Sequence, residues 1–176
     1  MRVVGSRHSF SQIANTNGTL VSLVGMNRVV GFNLSGPSIS VQAGTTYSNL
    51  LTLLDAHGFA LSNLASTSDI TIAAATGAHG SGIKQKNMAG AIIGMTIVLA
   101  NGTIARWTRA EHLELMQAAA VSFGAFGVVT ELTLKLVPAY KMVANVFAWH
   151  FFLHRKNLFF HRSFFARVIE GCLRKG

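Results

Sequence analysis

The chain has 176 residues, of which half are hydrophobic and only 12% are charged. That composition excludes a disordered chain and fits a buried core in one domain, or in two small lobes sharing a core. The single cysteine, Cys172, excludes an internal disulfide framework and a cysteine-based metal cage, and no metal site is expected.

The formal net charge of +9 is concentrated at the end of the chain. Residues 1–140 carry eight Lys and Arg against five Asp and Glu, whereas residues 141–176 carry seven against one and also hold seven of the twelve phenylalanines. Two interpretations of this tail stay open: a segment without selected structure, and a basic amphipathic helix on a membrane surface. The sequence shows neither a secretory leader nor an apolar run of about 18 residues. We therefore expect a cytoplasmic location.

Short strands and two helices are predicted in chain order. Strands are predicted at 3–4, 20–23, 28–33 and 38–44, helices at 45–58 and 111–121, a hairpin turn at 101–102, and a last strand that Pro138 closes. Thr45 or Thr46 is expected to cap the first helix and Gly58 to end it. Leu50, Leu51, Leu53 and Leu54 form its apolar stripe.

The first chemically informative stretch is VVGSRHSFSQIA, residues 3–14. Two β-branched residues before a glycine predict a short buried strand that turns sharply at Gly5, with a helical turn after it. The next residues are small or polar, so their backbone N–H groups can face a phosphate or another anion. This pattern alone leaves the role of His8 open.

Two further stretches are rich in glycine. NLASTSDITIAAATGAHGSG, residues 63–82, ends in a loop around His79 that can press its backbone against a large planar or charged ligand. FGAFGVVTELTL, residues 123–134, places Gly124 and Gly127 around a turn before a strand. Each stretch alone indicates only a glycine-rich connection.

Together, in this order and spacing, the three stretches resemble the FAD-binding domain of the vanillyl-alcohol oxidase and p-cresol methylhydroxylase flavoprotein family. Within that family, the chain most resembles the branch of the alditol oxidases and the L-gulono- and D-arabinono-1,4-lactone oxidases. The resemblance covers residues 3 to about 140 and implies an α+β fold of two α/β subdomains with FAD as cofactor. It further implies oxidation of a CH–OH group of an alditol or aldonolactone, with hydride transfer to flavin N5 and reoxidation by oxygen or another acceptor.

The resemblance also implies roles for individual residues. His8 would be joined through a ring nitrogen to the 8α-methyl carbon of the flavin, which suits a neutral imidazole near pH 7. Ala65 and Ser66 would be the catalytic-site residues beside the flavin ring, Ala65 where oxygen approaches and Ser66 on the substrate side. The remaining cofactor-binding residues would be Gly5, Ser6, Arg7, Ser9, Thr76, Gly77, His79, Gly80, Ser81 and Val128, and Ser66 would contact the cofactor as well. From the residues alone, two alternatives stay open. His8 could instead be a loop histidine that is hydrogen-bonded to a backbone carbonyl, and Val128 could be an ordinary core valine.

The chain departs from the family pattern at three places. The family's strand–helix–strand unit before the first loop is missing, the stretch before His79 is about two residues short, and the C-terminal cap domain is replaced by the tail. We therefore expect residues 1–140 to be a FAD-binding domain, incomplete at its N-terminus and without the cap, followed by a basic aromatic tail at 141–176. Since the cap would form most of the substrate site, whether the chain alone is an enzyme stays open.

The expected partners are a small polyol or sugar-lactone substrate and oxygen, and no nucleic acid. The alternative is a non-catalytic fragment or pseudo-enzyme whose basic tail binds a membrane or a nucleic acid. Aromatic residues between Arg and Lys are compatible with stacking on single strands, yet no nucleic-acid motif is present. The sequence leaves open which polyol or lactone is used, and alanine at position 65 leaves oxidase or dehydrogenase behaviour open.

Overall fold

The structure is a computed structural model that describes residues 1–65, 67–76 and 87–141, with the side chains of 75 and 76 excepted. Its strands are β1 (Arg2–Val4), β2 (Leu20–Ser22), β3 (Val29–Asn33), β4 (Ser38–Gln42), β5 (Phe59–Ala60), β6 (Ile92–Val98), β7 (Ile104–Thr108), β8 (Val128–Lys135) and β9 (Val137–Pro138). Its helices are α1 (Tyr47–Ala56), α2 (Ile72–Thr76) and α3 (Leu113–Ala120), with a 3-10 turn at Met88–Ala91.

A five-stranded antiparallel sheet forms the centre of the fold, in the order β3-β4-β8-β6-β7. Alternate residues of its inner strands form an apolar face that is buried under the helices: Ile39, Val41, Met95, Leu132 and Leu134. The opposite face carries hydroxyl groups, since Ser40 Oγ and Thr133 Oγ1 lie 2.8 Å apart in a hydrogen bond. The two-residue period of the strands therefore gives the sheet one apolar and one polar face.

Helix α1 packs Tyr47, Leu50 and Leu54 into the core. The Thr46 side chain accepts a hydrogen bond from the Asn49 N–H at 3.4 Å, and Gly58 follows the helix with a φ of +74°, so the predicted start and end are confirmed. Of the predicted apolar stripe, Leu50 and Leu54 are fully buried, whereas Leu51 and Leu53 are partly buried and pack against the core. Burial also raises the pKa of the Tyr47 phenol, which keeps this core group neutral.

Strand β1 pairs in parallel with β2, in the register Val3 to Val21. Between them, the helical turn predicted in residues 3–14 is limited to one hydrogen-bonded turn at residues 12–15, in which the Asn15 N–H donates to the Gln12 carbonyl at 2.9 Å. The second predicted helix begins at Leu113 rather than at Glu111, and the predicted hairpin at Asn101–Gly102 is confirmed with a Gly102 φ of +82°.

The junction between β4 and α1 connects the sheet to the β1–β2 pair. The Gly44 N–H donates to the Met26 carbonyl at 2.9 Å, and a Cβ on Gly44 would overlap the Leu23 carbonyl. This is the close backbone approach that requires glycine. At the same junction, the Ala43 N–H donates to Thr130 of β8 and the Ala43 carbonyl accepts from the Ala73 N–H. One short segment therefore holds β1–β2, β8 and the start of α2 together.

The predicted division at residue 140 is not tested by this structure. Residues 142–176 lie outside the described part of the chain, so the basic aromatic tail stays a prediction.

Candidate functional site

A cavity of about 260 Å³ lies between the start of the chain and the connection from α3 to β8. Its described walls are β1, the loop after β1, residues 71–74, and the segment from the end of α3 to the start of β8. The predicted cofactor-binding residues that line it together are Gly5, Arg7, His8, Ser9 and Val128. Residues that are more than one hundred positions apart in the sequence therefore meet at one place in the fold.

The loop after β1 is held against Thr71. A Cβ on Gly5 would overlap Thr71 Oγ1, so the backbone can approach Thr71 this closely only at a glycine. The next residue, Ser6, accepts a hydrogen bond from the Thr71 N–H on its Oγ at 3.1 Å. The side chain of Ser6 thus fixes the loop, while Gly5 and residues 7–9 line the cavity.

Two bulky residues in the left-handed backbone region line this cavity. Arg7 has a φ of +61° and Phe123 a φ of +52°, and they are the non-glycine residues with positive φ in the described part of the chain. Such conformations cost about 1–3 kcal/mol and concentrate at functional sites. Phe123 is 64% exposed, which is an unfavourable place for an aromatic ring unless something covers it.

The opposite wall depends on two glycines in the connection from α3 to β8. Gly124 has a φ of +83° and Gly127 a φ of +142°, and a Cβ on Gly127 would overlap the Val98 carbonyl. The turn predicted around these glycines is confirmed. It brings the start of β8, with Val128, to the cavity.

The charged groups of the lining are cationic. Arg2 and Arg7 line the cavity, and its described lining contains no Asp or Glu. The rest of the wall is largely small and apolar, with Ala43, Ala73, Ala74, Ala119 and Ala120 among its members. Such a lining favours an anionic group at one place and flat apolar contact at another.

The residues present fit FAD. The arginines and the glycine at position 5 suit a pyrophosphate, and a buried hydroxyl on Thr71 lacks a hydrogen-bond partner among the described residues. The volume of about 260 Å³ lies just below the usual range for small-molecule pockets, about 300–1,000 Å³, so the cavity accommodates part of a dinucleotide rather than all of it.

Among the other predicted site residues, Ala65 does not belong to the described lining of this cavity. Ala65 is 4% exposed and belongs to the hydrophobic core. Thr76 ends α2, whose earlier residues Ala73 and Ala74 line the cavity. Ser66, Gly77, His79, Gly80 and Ser81 lie outside the described residues. Their roles, and that of Ala65, stay predictions.

Sequence reasoning missed Thr71, Arg2 and Phe123, which also line the cavity. The glycine at position 5 was a signal that some group approaches closely, but nothing local identified Thr71 as that group. In residues 1–65, 67–76 and 87–141, no group of three or more His, Cys, Asp or Glu side chains could hold a metal ion. Over the same residues, no helix is both long and apolar enough to cross a membrane.

Comparisons with known proteins agree with this geometry. The profile of the FAD binding domain family matches residues 1–108. The chain is 37% identical over 149 residues to L-gulonolactone oxidase of Bos taurus, an alignment that covers 84% of this chain and 34% of that protein. It is 35% identical over 144 residues to alditol oxidase of a Streptomyces species, with 80% of this chain and 34% of that protein covered.

Solved structures show the same fold. A carbohydrate oxidase from Microdochium nivale superposes with a TM-score of 0.69 at 24% identity, covering 78% of this chain and 31% of that one. The 6-hydroxy-D-nicotine oxidase of Arthrobacter nicotinovorans superposes with a TM-score of 0.67 at 21% identity, with the same shares covered.

The fold and the cavity define a flavin-adenine-dinucleotide-binding domain of the p-cresol methylhydroxylase type. The chain belongs to the FAD binding domain family, and its cofactor is FAD. The family, the fold class and the cofactor expected from the sequence are thus confirmed. The chain spans about a third of the length of the curated relatives that it matches.

The contact between Gly5 and Thr71 predicts a coupled pair of substitutions. Gly5→Ala should lower the free energy of unfolding of the ligand-free chain by about 2 kcal/mol, because the added methyl group overlaps Thr71 Oγ1. Thr71→Ala removes the overlapping atom. The free energy of unfolding of the double variant should therefore be higher, by about 1 kcal/mol or more, than the value expected from adding the two single changes. Urea unfolding of the four chains measures this difference. Simple additivity would show that the two residues are not in contact.

Proposed function

We propose that this chain is the FAD-holding part of an oxidoreductase that acts on a CH–OH group of an aldonolactone or an alditol. The observation that carries the proposal is the cavity, which gathers Gly5, Arg7, His8, Ser9 and Val128 in a chain similar to L-gulonolactone oxidase and alditol oxidase. The lactone and alditol relatives are about equally similar over about the same part of the chain, so both substrate classes belong to the proposal.

The residues of the cavity bind and orient the cofactor. When bound, FAD would supply the redox chemistry: it would accept a hydride from the substrate carbinol and pass the electrons to oxygen or another acceptor. Arg2 and Arg7 provide positive charge for the pyrophosphate, and the absence of carboxylates from the described lining leaves that charge uncompensated. Gly5 lets the backbone of the first loop come close to the cofactor. The turn at Gly124 and Gly127 brings the main chain of Val128 to the cavity.

His8 is the proposed attachment residue for the flavin. It is exposed, lines the cavity, and follows Arg7, which has a left-handed backbone conformation. If the flavin were attached here, the bond from a ring nitrogen to its 8α carbon would replace one N–H and one C–H bond. Oxygen would take up the two electrons and two protons released and would become hydrogen peroxide.

Covalent attachment through His8 predicts flavin that resists denaturation. After incubation with FAD, the acid-denatured chain should show flavin fluorescence on its band in a denaturing gel. His8→Ala should lose that fluorescence and still bind FAD reversibly, because the other cavity residues are intact. His57→Ala is the matched control, since His57 is exposed and bonds to the Leu53 carbonyl away from the cavity. Fluorescence that persists in His8→Ala would exclude this residue as the attachment point.

The substrate class is tested in chimeras, because the chain spans only a third of its relatives. Residues 1–140 would replace the matching segment of bovine L-gulonolactone oxidase and, separately, of the Streptomyces alditol oxidase. We expect both chimeras to form hydrogen peroxide, the first with L-gulono-1,4-lactone and the second with alditols. Chimeras that fold and retain FAD but oxidise neither substrate would contradict the proposed function.

The alternative, a tail that binds a membrane or a nucleic acid, rests on the composition of residues 141–176 alone. Residues 142–176 lie outside the described part of the chain, and the cavity points to a small-molecule cofactor instead.

A further inference from the structure

The sequence contains two Asn-Gly pairs, at residues 17–18 and 101–102. An asparagine loses its side-chain amide most readily before glycine, because glycine has no side chain to hinder its backbone nitrogen from reaching the asparagine. The structure holds the two pairs differently, and that difference predicts which asparagine reacts.

The pair at Asn101 and Gly102 forms the hairpin turn between β6 and β7 and is held by two hydrogen bonds. Asn101 Oδ1 accepts from the Thr103 N–H at 3.0 Å, and the Gly102 N–H donates to the Leu99 carbonyl at 2.9 Å. Gly102 also has a φ of +82°. The side chain and the following nitrogen are both committed to the turn, so they can react only after the turn opens.

The pair at Asn17 and Gly18 lies in the connection from β1 to β2, and both residues are exposed. Within the described part of the chain, no hydrogen bond holds the Asn17 side chain. The Gly18 N–H donates to Thr16 Oγ1 at 3.1 Å, an exposed bond inside the same short segment that water can replace. A Cβ on Gly18 would meet only Thr16 Oγ1, at 3.6 Å, so no other element restrains this backbone.

We propose that Asn17 is a site of spontaneous deamidation in the folded chain. The Gly18 backbone nitrogen attacks the side-chain carbonyl carbon of Asn17, forming a C–N bond while the bond to the side-chain nitrogen breaks. That nitrogen leaves as ammonia and takes the proton of the Gly18 N–H. Water then opens the cyclic imide, giving aspartate when it attacks the side-chain carbonyl carbon and isoaspartate when it attacks the main-chain one.

Isoaspartate at position 17 would change the connection from β1 to β2. The main chain would run through the former side chain and gain one carbon, two residues before Thr19, whose carbonyl accepts from the Arg2 N–H at 2.9 Å. Arg2 lines the cavity, and so do His8 and other residues of the same connection. We therefore expect weaker FAD binding once isoaspartate forms. This consequence rests on the proposed function, whereas the reaction at Asn17 does not.

Mass spectrometry of the full chain tests the reaction, after incubation of the folded protein at mildly alkaline pH and digestion with trypsin. Asn17 and Asn101 fall in different tryptic peptides, 8–28 and 87–106, and fragmentation identifies the residue that has changed. Asn17 should convert at least about tenfold faster than Asn101, because two hydrogen bonds of the turn must break before Asn101 reacts. In urea, where the fold is lost, the two rates should agree within about twofold, since both asparagines precede a glycine.

Gly18→Ala is the matched control for the reaction. Its methyl group would lie at ordinary contact distance from Thr16 Oγ1, so the fold is retained. The same methyl group hinders the attack on Asn17. Conversion of Asn17 should therefore be lost over an incubation that converts the parent chain, while conversion of Asn101 stays unchanged.

The effect on FAD is measured in a His8→Ala background, so that binding stays reversible. The deamidated fraction, separated by ion exchange, should bind FAD about fivefold more weakly than the fresh chain, as expected when a backbone hydrogen bond is weakened. Asn17→Asp adds the charge without the extra carbon. It should stay within about twofold of the fresh chain, because an exposed charge is screened by salt.

The other results overturn the inference. Equal rates at the two asparagines of the folded chain, or no conversion of Asn17 while the chain in urea converts, would remove the site. Conversion of Gly18→Ala at the rate of the parent would exclude attack by the Gly18 nitrogen. Equal FAD affinity of the deamidated fraction and the fresh chain would contradict the link to the cavity. A fresh chain that does not bind FAD would refute the proposed function, an outcome distinct from the rates at Asn17.

Discussion

The contact between the first loop and Thr71 is the constraint on which the site depends. Ser6 accepts a hydrogen bond from the Thr71 N–H across 65 positions of sequence, and Gly5 packs directly against the Thr71 side chain. This contact fixes the loop with the predicted phosphate-binding residues beside the start of α2.

The rest of the fold holds this contact in place. Ile72 N–H donates to the Thr45 carbonyl and Ala73 N–H to the Ala43 carbonyl, so the segment after Thr71 is fixed to the β4–α1 junction. Ala43 in turn donates to β8, the central strand of the five-stranded sheet. The apolar face of that sheet supplies the hydrophobic stabilisation that makes these backbone contacts persist. The backbone around the cavity is therefore anchored to the hydrophobic core of the sheet.

Much of the fold could be predicted because it is encoded locally. The alternation at Ser38–Gln42, the Asn101–Gly102 turn and the Thr46 cap each follow from a few adjacent residues. Thr71 could not be predicted as a cavity residue, because its contact with Gly5 joins distant parts of the chain. Such a contact produces no periodic pattern in the sequence around either residue. The sequence also could not show that Leu51 and Leu53 are less buried than Leu50 and Leu54, since the whole stripe is apolar. The resemblance to a flavoprotein family, rather than any local pattern, indicated the role of His8.

Hydrogen–deuterium exchange of the chain with and without FAD tests the central claim most directly. The claim is that FAD occupies the cavity between the first loop and the connection from α3 to β8. We predict slower exchange of the backbone amides of residues 5–9 and 122–128 when FAD is present. Exchange in the turn between β3 and β4, which is exposed and away from the cavity, should not change. Unchanged exchange at both cavity segments, with FAD bound, would contradict the account.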